Sequence, residues 1–142
     1  MSGIQILNAD LDFGLAKEEE VITVLEEIFN ETILKAPYKY SPFDAQSAEA
    51  RYEIKCRRCH FNRYDETIIT VDKIQRTPKN KPLRLVFGFT DGLYYTEYEK
   101  ERFDTYPIRP VSAVKWNGQR EARDHYHIPI HDLRRVSGQI GT

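Results

Sequence analysis

Arg51-Tyr52-Glu53-Ile54-Lys55-Cys56-Arg57 alternates with a period of two. Tyr52, Ile54 and Cys56 fall on one side and Glu53, Lys55 and Arg57 on the other, the pattern of a β-strand with one apolar face. Upstream of it come Phe43-Asp44 and a small, polar stretch from Ala45 to Ala50. Pro37 and Pro42 bracket a short extended piece, Tyr38 to Tyr40. Before that, residues 15–30 read as a helix, because Val21, Val24, Leu25 and Ile28 recur at helical spacing. Glu18-Glu19-Glu20 lies in or near its first turn, where carboxylates suit the helix dipole, and Asn30 is a natural end. Downstream, a loop leads to a short helix or mixed turn near Thr70–Arg76, and the Pro- and Lys-rich segment 77–82 is another loop. Leu83 to Phe89 is a strand, Asp91-Gly92 signals a hairpin, and Leu93 to Tyr98 returns. Residues 100–105 are briefly helical and Ala113 to Trp116 is a strand. Tyr126 to Ile130 is a strand interrupted by Pro129 and therefore an edge, and 131–136 forms a last helical turn. The order predicts an α/β or α+β domain, with α/β the expectation: a mixed central sheet with a leading helix and few other helices.

At 142 residues the chain has room for one domain, 1–142. Its seven Phe, nine Tyr and one Trp supply the volume for that core. No window is apolar enough to span a membrane, and Met1 to Asp12 lacks the form of a secretory signal. A reducing cytoplasm is the expected setting (host cytoplasm or nucleus for a viral protein), with Cys56 and Cys59 as free thiols. The formal net charge of −1 hides a separation. Residues 1–50 hold three basic and ten acidic side chains, a net of −7, whereas residues 51–90 hold ten and four, a net of +6. The near-neutral total therefore does not exclude a partner as acidic as nucleic acid.

Asp44, Glu53 and Lys55 form the most informative group. A strand sets Glu53 and Lys55 on one face, roughly 6–7 Å apart, and the short connection from Asp44 brings its carboxylate back beside Glu53. Two converging carboxylates repel unless a cation lies between them, and Mg²⁺ favours one or two carboxylates plus water and phosphate oxygens. Such an ion polarises a phosphodiester and lowers the pKa of a bound water. Lys55 beside it is placed to orient that water or stabilise developing charge, and Glu18 can add a third carboxylate. Arg57, Arg58, Arg63 and Lys73 follow where a backbone phosphate would sit, and Tyr64 offers a ring to a sugar or base or to the core.

The spacing Asp44, then Glu53-Ile54-Lys55, behind a helix carrying Glu18, resembles the PD-(D/E)xK nuclease superfamily. The run Gly14-Leu-Ala-Lys-Glu18-Glu-Glu-Val is similar to the helix start of its Holliday-junction-resolvase branch. The likeness covers about residues 14–76, leaving 83–136 as C-terminal strands. It implies a restriction-endonuclease-like core, with Glu18, Asp44 and Glu53 holding Mg²⁺ (Mn²⁺ substituting) and Lys55 assisting the attacking water. Spacing alone selects Glu18 over Glu19 and Glu20, and the family's Pro-Asp pair is split here as Pro42-Phe43-Asp44. The implied activity is a structure-selective DNA endonuclease, acting on Holliday junctions or on other branched or single-stranded DNA. A homodimer is implied by the two symmetric cuts that a four-way junction needs.

Three other patterns compete. Cys56-Arg57-Arg58-Cys59-His60 has the C-x-x-C-H form of haem attachment, but haem is not expected without an export signal. Cys56 and Cys59 with His125, His127 and His131 have the donor types of a zinc site. The strand register turns Cys56 to the apolar face, so a buried thiol is expected instead. Finally, Tyr94, Tyr95 and Tyr98 on the second hairpin strand suit either core packing or a partner surface. The latter would suit a catalytically inactive nucleic-acid-binding or protein-interaction module on the same fold.

Overall fold

The computed structural model describes residues 18–38, 41–115 and 117–136. Residues 15–17 of the expected helix, Lys39 and Tyr40 of the extended piece, and Trp116 lie outside them. Helix α1 covers 18–29 and buries Val21, Ile22 and Leu25, one apolar stripe of an otherwise acidic helix. Asn30, at φ 52° in the left-handed region that Asn tolerates, ends it.

Three antiparallel strands follow: β1 (Leu34–Lys35), β2 (Ala45–Gln46) and β3 (Arg51–Cys56). The chain then leaves the sheet through β4 (Glu66–Thr70) and α2 (Val71–Arg76) and returns as β5 (Leu83–Phe89), parallel to β3. The β5–β6 hairpin turns at Thr90-Asp91, where Phe89 pairs with Gly92, and β6 is Gly92–Glu97. Helix α3 (Lys100–Phe103), β7 (Ile108–Val114), β8 (Arg120–Pro129), a 3₁₀ turn (Ile130–Asp132) and β9 (Arg134–Arg135) complete the described chain. The six-stranded mixed sheet has the order β1-β2-β3-β5-β6-β9, and β4-β8-β7 form a separate three-stranded sheet. The architecture is α/β with few helices.

Alternation along β3 and β5 divides the core in two. Tyr52, Ile54 and Val86 face α1, joining Val21 and Leu25. Leu83, Leu85 and Phe87 face the other way, meeting Ile74 of α2, Ile69 of β4, and Tyr126 and Ile128 of β8. The large sheet is thus a middle layer. Tyr94 is buried, stacked on Phe61 at 3.8 Å between centroids. Tyr95 meets Phe29 and Tyr98 meets Phe103 edge-on. All three tyrosines of the hairpin pack inward.

The structure corrects four sequence expectations. Residues 66–69, taken as part of a loop, form the strand Glu66–Thr70, and Thr70, read as the start of the helix, also caps α2 by accepting from Lys73 N–H. Strand β8 is ten residues long and central in its sheet rather than an edge; Pro129, which lacks an N–H, is its last residue. Strand β7 begins at Ile108, five residues before the expected start at Ala113. The expected helical turn over 131–136 is a 3₁₀ turn over 130–132 followed by β9, whose Arg134 pairs with Tyr95.

Candidate active site

The face of β3 read as polar is covered. Arg51, Tyr52, Glu53 and Ile54 are all buried, because β3 is a central strand flanked by β2 and β5 and sandwiched between two layers. Glu53 is only 2% exposed. Asp44 reaches it through the β2–β3 hairpin. Ser47 closes that turn, its Oγ accepting from Glu49 N–H and Ala50 N–H, both at 3.1 Å. The register pairs Ala45 with Tyr52, which sets Asp44 next to Glu53. Asp44 N–H donates to Tyr52 O at 2.9 Å, and its Oδ2 accepts from Ile54 N–H at 2.8 Å. The first fixes the Asp44 backbone against β3 and the second fixes its carboxylate.

Two ammonium groups face Glu53. Lys55 Nζ lies 3.3 Å from Oε1 and Lys73 Nζ lies 3.2 Å from Oε2. Both oxygens are shut off from solvent, and neither contact has the directionality of a full hydrogen bond. Burial first, and the Asp44 charge second, push the Glu53 carboxyl up to about 7 against the pull of both lysines. Glu18, at the described start of α1, contacts Lys35 at 3.9 Å. Burial and then Asp44 raise its pKa too, so α1 brings its carboxylate within electrostatic reach of the same centre. Among the described residues no three His, Cys, Asp or Glu side chains stand close enough together to grip one ion. Of the three carboxylates expected to converge, the fold sets Asp44 beside the buried Glu53.

No family model, curated protein or solved structure matches this chain. The site therefore rests on its own geometry.

The expected phosphate contacts divide. Lys73 does not stand off to meet a phosphate: the Thr70 cap sets it in the first turn of α2, across the face of β3, where it pairs with Glu53. Nothing local in the sequence marks that pairing, since the two residues meet only through the β3–β5 crossover. Arg57 turns inward, donating to Ile68 O at 2.9 Å with its guanidinium over Phe87. Arg58 and Arg63 are exposed, and Arg63 lies 4.8 Å from the ring of Tyr64, itself 60% exposed. Lys55 is 43% exposed at its side chain, so it joins the buried Glu53 to the surface.

The other patterned residues have separate places. Cys56 packs in the α1 layer as its register requires, while Cys59 lies in a loop. His127 is buried with Nδ1 2.8 Å from Glu66 Oε1, and His125 Nδ1 lies 2.7 Å from Arg123 O. His131 is exposed on the 3₁₀ turn. No helix among the described residues is long and apolar enough to cross a membrane.

The sequence reading missed a second buried polar group. Glu31 accepts from Ser47 Oγ at 2.5 Å, Tyr52 Oη at 2.8 Å and Arg84 Nη1 at 2.8 Å. Burial alone would raise the Glu31 pKa, but these three donors hold it below the usual carboxylate range. The group closes the end of α1 onto β3 and β5, and thereby steadies the hairpin that carries Asp44.

Proposed function

We propose that the chain is a divalent-metal-dependent DNA endonuclease with a PD-(D/E)xK-type centre and a restriction-endonuclease-like core, selective for branched or single-stranded DNA. The observation that carries this reading is Asp44 set beside a buried Glu53, with Lys55 joining that centre to the surface. The strand order supports it. A leading helix with Glu18, Asp44 at the entry to β2 and Glu-x-Lys on β3 follow one another in the order of the resemblance.

Asp44 and Glu53 would hold Mg²⁺ or Mn²⁺, and Glu18, too far to share one ion with both, would act on the centre through its charge. When bound, the ion polarises the phosphodiester and activates a water. The chain's residues do the rest. Asp44 is kept in place by the Ile54 N–H, so its geometry does not depend on the ion. Lys55 sits where it can hold the attacking water and offset charge on the phosphate. Lys73 shares the negative charge of Glu53 and limits the repulsion between the carboxylates.

One observation favours a second reading. Two ammonium groups already face both Glu53 oxygens. In a catalytically inactive DNA-binding module of the same fold, Lys73 would take the place of the ion. Incubation with four-way, flap, linear and single-stranded DNA, in Mg²⁺ or chelator, separates the two. The nuclease reading expects Mg²⁺-dependent cutting, lost in Asp44→Ala and reduced about a hundredfold in Lys55→Ala. Absence of cutting on every substrate would falsify it, and undiminished cutting by Asp44→Ala would remove Asp44 from the centre. Gel filtration of the protein with a four-way junction tests the homodimer.

A further inference from the structure

Beyond the end of β3 the structure opens a cavity of about 440 Å³ between the loop after Arg57 and the three-stranded sheet. Phe61, Phe89, Tyr64 and Val111 line it. Phe61 is held rigidly, stacked on Tyr94 and edge-on to Phe89 at 5.7 Å. Tyr64, largely exposed, stands at the rim with the Arg63 guanidinium at its ring. The lining also includes His127, which is 8% exposed. Glu66 engages Nδ1 of that ring, which leaves Nε2, on its other side, buried and without a hydrogen-bond partner among the described residues.

Arg57 in the cavity wall follows directly on the strand that carries Glu53 and Lys55. Glu53, Lys55 and Arg57 occupy alternate positions on one side of the chain, and Arg57 N–H extends the β3–β5 ladder by donating to Gly88 O at 2.7 Å. At about 3.3 Å per residue, Arg57 in the cavity wall is ~13 Å from Glu53, within a few nucleotides of any phosphate at that centre. Aromatic walls and a basic rim suit a planar ring on an anionic backbone.

We propose that this cavity takes an unstacked nucleobase of the strand that passes the Asp44–Glu53 centre. The inference rests on the reading of that centre as one that acts on nucleic acid. Stacking on the aromatic wall supplies the affinity, and the Arg63 guanidinium at the rim meets the anionic backbone. A double-stranded segment keeps its bases paired and cannot use the cavity, so the site favours single-stranded or distorted DNA.

Fluorescence anisotropy in chelator, where no cutting occurs, tests this with two labelled probes: a 12-mer of oligodeoxythymidine and an abasic phosphodeoxyribose chain of the same length. The wild type should bind the base-bearing probe about tenfold or more tightly. Tyr64→Ala, at an exposed position, and Val111→Trp, which fills the cavity, should both abolish that preference, and Val111→Trp should do so without changing affinity for the abasic probe. Equal binding of both probes by the wild type, no binding of either, or a preference that survives both substitutions overturns the inference. Cutting in Mg²⁺ is read separately. A base preference without cutting supports the cavity while sinking the nuclease reading; cutting without a base preference does the reverse.

Discussion

Glu53 makes the centre sensitive to pH, and the sign can be worked out. Its carboxyl is raised from 4.5 to about 7, first by burial and then by Asp44. The folded chain therefore holds this proton more tightly than the unfolded chain does. Its contribution to stability is fully present below pH 4.5 and is lost as pH rises through about 7. Melting temperature measured without metal should fall across that window, and Glu53→Gln should flatten this part of the profile; an unchanged slope in Glu53→Gln would assign the pH dependence elsewhere. The Glu53–Lys55 spacing was legible in the sequence because a strand repeats every two residues. The burial of Glu53 was not, because a polar alternate face looks the same whether water or another layer covers it. The second lysine was hidden for a different reason: Lys73 reaches Glu53 from α2 by way of a crossover, and no local pattern encodes such a meeting.

At the scale of elements, the Glu31 group holds α1, the β2–β3 turn and β5 together. Arg84 donates to Glu31 and Tyr52, and its guanidinium lies 4.3 Å from the Phe29 ring. Arg84→Ala strands a half-buried carboxylate and should cost about 3 kcal/mol in urea unfolding, whereas Tyr52→Phe, which removes one hydroxyl, should cost about 1 kcal/mol. A loss under 0.5 kcal/mol for Arg84→Ala, within the range of ordinary surface changes, would show that the group does not hold these elements. Sequence patterning located α1, β3, β5 and the β5–β6 hairpin well, since each buries a regular stripe. It failed at β4, where Ile68-Ile69 breaks the alternation and Thr70 serves two elements at once. It failed again along β7 and the first half of β8. There the hairpin runs beyond the reach of β4 and is exposed on both faces, so no apolar period marks it.

Across the whole molecule, the basic middle third is less free than its +6 suggests. Arg51 donates to Asn80, Arg57 to Ile68 O, Lys81 to Ser47 O and Arg84 to Glu31, and Lys73 pairs with Glu53. Much of that charge holds the fold together rather than standing free in solvent. The parallel pairing of β3 with β5 also sets an order in time. Asp44 meets Glu53 through a short hairpin, which needs only a small loop to close. Strand β5 needs the much longer path from Tyr52 to its partner Arg84 to close, and Lys73, which lies on that path, also closes a longer loop to Glu53 than Asp44 does. We therefore predict that the β3–β5 pairing belongs to the folding nucleus. Val86→Ala should slow refolding in stopped-flow experiments, while destabilising changes in the exposed part of the β7–β8 hairpin should chiefly speed unfolding; the opposite pattern would place the nucleus in the smaller sheet. In a refolding chain, the two carboxylates come together before the lysine that relieves them.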